Sequence, residues 1–126
     1  MSEMIKFLSY GDIVLVALPS NQPQGHEQEG KKPAIIVGIP KGVTRYPLIL
    51  LAPLTSKIGK WALENPLMYP KLSPRVDALP QESVVLLDQI RAVDVKRVIS
   101  YLGSLTSNEY ELIQNGLSKI FNINGA

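Results

Sequence analysis

Cysteine is absent from the 126 residues, histidine and tryptophan occur once each, and phenylalanine occurs twice. Without cysteine there is no disulfide, no thiolate metal site and no cysteine nucleophile, and the composition suits a reducing compartment such as the cytoplasm. A single histidine leaves only oxygen-rich metal sites, and the acidic residues follow no EF-hand or other ligand spacing, so no metal or other cofactor is expected. Long hydrophobic runs are missing too. Nothing approaches the roughly eighteen consecutive apolar residues of a membrane helix, and Met1 to Tyr10 carries Glu3 without the apolar region and small-residue cleavage site of a signal peptide. The expectation is a soluble, unprocessed protein that makes no use of a membrane. Gly38 and Gly42 are the glycines nearest to a phosphate-loop or dinucleotide pattern and lack its spacing, and no Gly-x-Ser-x-Gly elbow occurs.

What is present is enough apolar material, 45% of the chain, for one modest core. No repeat, low-complexity segment or linker divides it, so one domain over residues 1–126 is the natural reading. Ten prolines and nine glycines separate short runs rich in Ile, Val and Leu, which favours strands. Strands are expected at Asp12–Leu18, Ala34–Ile39, Tyr46–Leu54 and Ser83–Ile90, with a weaker one at Ser100–Leu105. Their near-continuous apolar character implies burial on both faces, as in a small closed barrel or a sheet covered by a partner. Asp94–Val98 suits one short helical turn, and the proline-rich Pro66–Pro80 reads as an irregular surface connection. One longer helix is expected at the end of the chain. Thr106-Ser-Asn-Glu109 has capping-box spacing, and Tyr110, Ile113, Leu117, Ile120 and Phe121 then recur on one helical face.

The net charge of +2 conceals an uneven distribution: residues 1–30 carry −3, residues 31–75 carry +7 and residues 76–126 carry −2. The central block holds Lys31, Lys32, Lys41, Arg45, Lys57, Lys60, Lys71 and Arg75 against Glu64 alone. Such a block attracts phosphate backbones by Coulomb attraction and counterion release, or it is simply a solvated lysine face. At its border, Gly25-His26-Glu27-Gln28-Glu29-Gly30-Lys31-Lys32 concentrates titratable and flexible residues in a loop between two apolar strands.

Three blocks, GDIVLVALPSNQPQGHEQEGKKPAIIVG, LAPLTSKIGKW and ESVVLLDQIRAVDVKRV, resemble the MazF/PemK family of toxin ribonucleases, in the family's order and from Gly11 to the final helix. The resemblance implies a mainly β fold with a C-terminal helix, a small SH3-like β-barrel of the CcdB/PemK type, assembled as a symmetric homodimer. It also implies metal-independent, sequence-selective cleavage of single-stranded RNA, held in check by a cognate antitoxin protein. The loop from Gly25 to Gly30 matches the family's Gly-x-Glu-Gln-x-Gly pattern and would help to wall the RNA groove.

Metal-free RNA cleavage needs a base to take the proton of the ribose 2′-hydroxyl, a stabiliser for the charge on the five-coordinate phosphorus, and an acid for the departing 5′-oxygen. The products are then a 2′,3′-cyclic phosphate and a 5′-hydroxyl. The family's arginine before the second-strand proline and its threonine at the end of the third strand correspond to Lys32 and Thr55. Lys32 departs from the pattern: it keeps the charge but lacks the planar fork that grips two phosphate oxygens. It would act as an electrostatic stabiliser or, desolvated beside Lys31, as a proton-transfer group. His26 is either a second proton-transfer group or an exposed loop residue, because a free imidazole titrates near neutrality. Glu27 is either a base or an orienting partner for Lys32. Gln28, Lys31, Ser56, Lys57 and Lys60 are candidate RNA contacts, and Trp61 either stacks a base or covers core.

Two other functions are compatible with the same resemblance. One is a catalytically weak member that acts by binding its antitoxin. The other is a gyrase toxin of the same fold, less favoured because Asn122-Ile-Asn-Gly-Ala126 lacks the Trp-Gly-Ile ending of the CcdB branch.

Overall fold

The computed structural model describes residues 7–20, 25–26, 28–75 and 78–123. Its elements are β1 (Asp12–Leu18), β2 (Gly30–Gly38), β3 (Leu48–Thr55), α1 (Lys60–Leu63), β4 (Lys71–Leu72), β5 (Ser83–Val85), β6 (Arg91–Asp94), β7 (Val98–Ser104) and α2 (Ser107–Ile120). Single 3₁₀ turns lie at Leu87–Gln89 and Val95–Arg97. All strand pairings are antiparallel, in the spatial order β4-β5-β3-β2-β1-β7, and β6 also pairs with β3.

β3 curls the sheet because one of its edges serves two partners. Leu48 to Leu51 pair with β6, whereas Leu54 and Thr55 pair with β5. Between them the Pro53 carbonyl accepts the Leu86 N–H at 2.8 Å, where the chain leaves β5 for the 3₁₀ turn. The result is a curled half-barrel with α2 on one side.

Alternation along β1, β2 and β3 sends side chains to two cores. Val14, Val16, Ala34, Ile36, Ile49 and Leu51 meet Val93, Val95 and Val98 on one face. Ile13, Ile35, Ala52 and Leu54 meet Leu72, Leu79, Leu87 and Ile113 of α2 on the other. This accounts for the continuous apolar runs within one chain, so strand composition alone does not call for a partner.

α2 begins with the expected capping box. Thr106 Oγ1 accepts the Glu109 N–H at 3.2 Å, and Glu109 Oε1 accepts the Thr106 N–H at 2.8 Å. Arg75, whose backbone bridges to Leu79, pairs with the same carboxylate and so ties that bridge to the helix start. Burial alone would raise the Glu109 carboxyl, but the Thr106 N–H and the Arg75 guanidinium hold it below the usual carboxylate range.

Several local expectations change. β2 starts at Gly30 rather than Ala34, because Lys31 and Lys32 continue the ladder opposite Ala17 and Val16. The Ser83–Ile90 run is not one strand: a 3₁₀ turn around Asp88 and Gln89 interrupts it. Pro66–Pro80 is not only surface, since it contains β4 and buries Leu72 and Leu79. On α2, Phe121 lies outside the apolar seam with 59% exposure, and Gly116 is buried instead. Among the described residues, no helix is long and apolar enough to cross a membrane.

Candidate functional site

The β2–β3 ladder pairs Ala34 with Pro53, Ile35 with Ala52 and Ile36 with Leu51. Continuing this register two residues beyond Ala34 brings Lys32 level with Thr55. Both border a cleft of about 400 Å³, together with Gln28, Lys31, Ser56 and Lys57. Leu54 and Leu79 supply apolar surface, and Gln81 and Ser83 contribute another wall. The lysines reach the cleft because β2 extends beyond its apolar run, so their places are set by strand pairing and not by a free loop.

Among the described residues, ion pairs join Lys60 to Glu64, Lys71 to Glu82 and Arg75 to Glu109. Lys31, Lys32 and Lys57 have none there. Three cations around one cleft, with no carboxylate paired to them among the described residues, make a local positive potential suited to an anion. Thr55 Oγ1 accepts the Lys57 N–H at 3.1 Å, a turn that uses one hydroxyl lone pair and leaves the hydroxyl proton available for donation.

The loop before β2 is fastened from a distant part of the chain. The Gln28 N–H donates to Gln89 Oε1 at 2.7 Å, while Gln89 Nε2 donates to the His26 carbonyl at 3.1 Å. Arg91 Nη1 adds a bond to the Gln28 carbonyl at 3.2 Å. One carboxamide thus grips the backbone on both sides of residue 27, and Gly30 turns the chain into β2 with φ +83°. Alanine at Gln89 should make the Gln28 amide exchange with solvent several-fold to about tenfold faster, the range expected for losing one such bond. Hydrogen exchange read at that amide checks this, and unchanged protection would contradict the clasp.

Gln28, Lys31, Lys32, Thr55, Ser56 and Lys57 therefore come together. Trp61 lies on a second cleft of about 400 Å³ that shares Gln28, Thr55 and Lys57 with the first and adds Tyr69, Asp88 and Gln89. Its ring meets Tyr69 edge to face, with centroids 4.8 Å apart. Lys60 opens the exposed turn α1, pairs with Glu64 at 3.7 Å and borders neither cleft. The exposed His26 borders neither cleft and is tied through its carbonyl. Glu27 lies outside the described residues. Gln89, Arg91, Tyr69 and Asp88 were not among the sequence candidates. The adjacent polar pair Asp88-Gln89 inside an apolar run was the one available signal, because such a pair interrupts strand burial.

A sequence profile of the PemK-like, MazF-like toxins of type II toxin–antitoxin systems matches residues 9–121. The fold is similar to a crystal structure of MazF from Deinococcus radiodurans, with a TM-score of 0.68 and 20% identity over 92% of this chain and 97% of that one. It is also similar to the Mycobacterium tuberculosis toxin MazF-mt6, with a TM-score of 0.63 and 16% identity over 90% and 98% of the two chains. An endoribonuclease from a mycobacterial species, solved in complex with its cognate antitoxin, gives a TM-score of 0.62 and 19% identity over 94% and 97%. At these identities the structural likeness speaks for the fold, while the profile covers nearly the whole chain and includes both clefts. The chain belongs to the PemK-like, MazF-like family of type II toxins.

Proposed function

We propose that the protein is the toxin of a type II toxin–antitoxin pair and cleaves single-stranded RNA without a metal ion. The observation that carries this reading is the cleft that Lys31, Lys32 and Lys57, free of ion pairs among the described residues, line together with Thr55. A phosphodiester seated there has cations for its charge and a hydroxyl donor for a non-bridging oxygen. The neighbouring ribose 2′-oxygen attacks phosphorus, the P–O5′ bond breaks, and the products are a 2′,3′-cyclic phosphate and a 5′-hydroxyl. Lys32 stabilises the added negative charge of the phosphorane, while Lys31 and Lys57 hold the backbone. A proton must leave the 2′-oxygen and one must reach the departing 5′-oxygen. Glu27 is the candidate for moving them, and His26, which borders neither cleft, could do so only if its exposed imidazole turned toward the bound RNA.

An antitoxin with an acidic, partly disordered segment would compete with RNA for the same positive cleft. A homodimer is the proposed assembly. The terminal strand of the path, β7, offers exposed Ile99 and Tyr101 beside exposed Phe7 as apolar surface for it. The second reading, a weak enzyme that acts by binding its antitoxin, is favoured by lysine standing where the family's arginine is expected.

A long single-stranded RNA incubated with the purified protein in EDTA tests the proposal. Cleavage should persist and leave 5′-hydroxyl ends. A substrate with deoxyribose at the scissile residue should resist, because its internal nucleophile is gone. Continued cutting of that substrate would sink the mechanism, and an uncut RNA would favour the binding-only reading.

A further inference from the structure

The second cleft has a chemistry of its own. Trp61, 46% exposed, supplies an aromatic surface at its border. A side chain at Gly59 would collide with the indole Nε1, so the ring rests directly on the backbone there. Tyr69 braces the ring edge to face and donates its hydroxyl to Asp88 Oδ2 at 2.6 Å. This hydrogen bond to the carboxylate, with burial and the nearby negative charge, raises the Tyr69 phenol above its ordinary value and keeps it a donor. The phenol therefore orients the carboxylate beside the indole, and among the described residues Asp88 Oδ1 has no hydrogen-bond partner.

An ionised carboxylate can only accept hydrogen bonds. Of the four RNA bases, guanine alone presents two adjacent donors, N1–H and N2–H, on its pairing edge. Adenine and cytosine set an acceptor nitrogen beside their amino group, and uracil flanks its single N–H with two carbonyls. Those acceptors would face the negative charge of Asp88. An aromatic platform accepts any base, so the carboxylate is what discriminates. Because Gln28, Thr55 and Lys57 border both clefts, a base in the second belongs to a nucleotide next to the phosphate in the first.

We infer that the cleft between Trp61 and Asp88 is a guanine-selecting subsite for a nucleotide flanking the scissile phosphate. The inference rests on the ribonuclease reading, but its test does not depend on cleavage. Trp61 is the only tryptophan of the chain, so its fluorescence reports this cleft directly. The probes are short, fully 2′-deoxy-substituted, uncleavable oligomers that place guanine, adenine, cytosine or uracil centrally in a uracil background.

The guanine oligomer should bind about 10–100-fold more tightly than the others, the discrimination typical of a paired two-donor contact. Asp88→Asn should erase that advantage, since an amide offers a donor as well as an acceptor, and Tyr69→Phe should reduce it by loosening the carboxylate. Equal affinity for all four oligomers, preference for another base, an unchanged guanine preference in Asp88→Asn, or no change in Trp61 emission would each overturn the subsite. RNA cutting without guanine preference would defeat the subsite alone. Guanine preference without any cutting would support the subsite and defeat the nuclease reading.

Discussion

Alanine in place of Lys32 should slow RNA cleavage by about 10²–10³-fold, the cost of removing a comparable transition-state donor elsewhere. Binding should fall only modestly, because Lys31 and Lys57 border the same cleft and continue to attract the backbone. That split follows from when each charge acts: attraction to the ground-state phosphate is shared among several cations, whereas the phosphorane carries additional charge at one centre. Thr55→Ala should lose activity as well, since it deletes the hydroxyl proton that remains available once Oγ1 has accepted from Lys57. Lys32→Arg separates two chemical roles. An electrostatic stabiliser gains from the bidentate guanidinium, so the rate should rise; a proton-transfer group loses its function, because arginine does not deprotonate in proteins. Single-turnover rates and separately measured RNA affinities for the three variants check the argument. Identical background rates for the natural protein and all three variants would remove the nuclease assignment.

Gly116→Ala should destabilise the fold by about 1–3 kcal/mol, the usual cost of overpacking a well-filled core. Propensity points the other way, because alanine in a helix interior is favoured over glycine by about 1 kcal/mol. Sterics decide the sign. A Cβ at Gly116 would overlap Leu87 Cδ1 and lie 2.5 Å from the Leu67 carbonyl oxygen. The leucine can rotate away, but the carbonyl belongs to backbone and moves only with its segment. Leu87 also begins the turn that carries Gln89, so the strain would reach the clasp on the active loop. Thermal or urea unfolding measures the loss, with exposed Asn115→Ala on the same helix as the control, which should be neutral or slightly stabilising. A midpoint raised by Gly116→Ala would refute the close packing.

Much of this protein was legible in its sequence because local rules govern those parts. β1 runs from Asp12 to Leu18 as its apolar run indicates, and α2 starts where Thr106 and Glu109 can cap it. Lys32 and Thr55 could be singled out as a pair by their flanking blocks. Contacts between distant segments were not legible. β3 divides one edge between β5 and β6, a choice made by packing after Pro53 and invisible in its apolar run. Arg75 looks like another member of the basic block but is taken up by Glu109, and Lys60 turns to Glu64. Gln89 reaches 61 positions back to Gln28, and Tyr69 orients Asp88 across 19. Sequence periodicity reports which face of an element is buried; it carries no information about which distant polar groups that burial brings within hydrogen-bonding reach. β1 and the capped helix were thus determined locally, whereas the fastened loop, the lysines without ion pairs among the described residues and the carboxylate beside Trp61 were decided only when the sheet curled and closed its two cores.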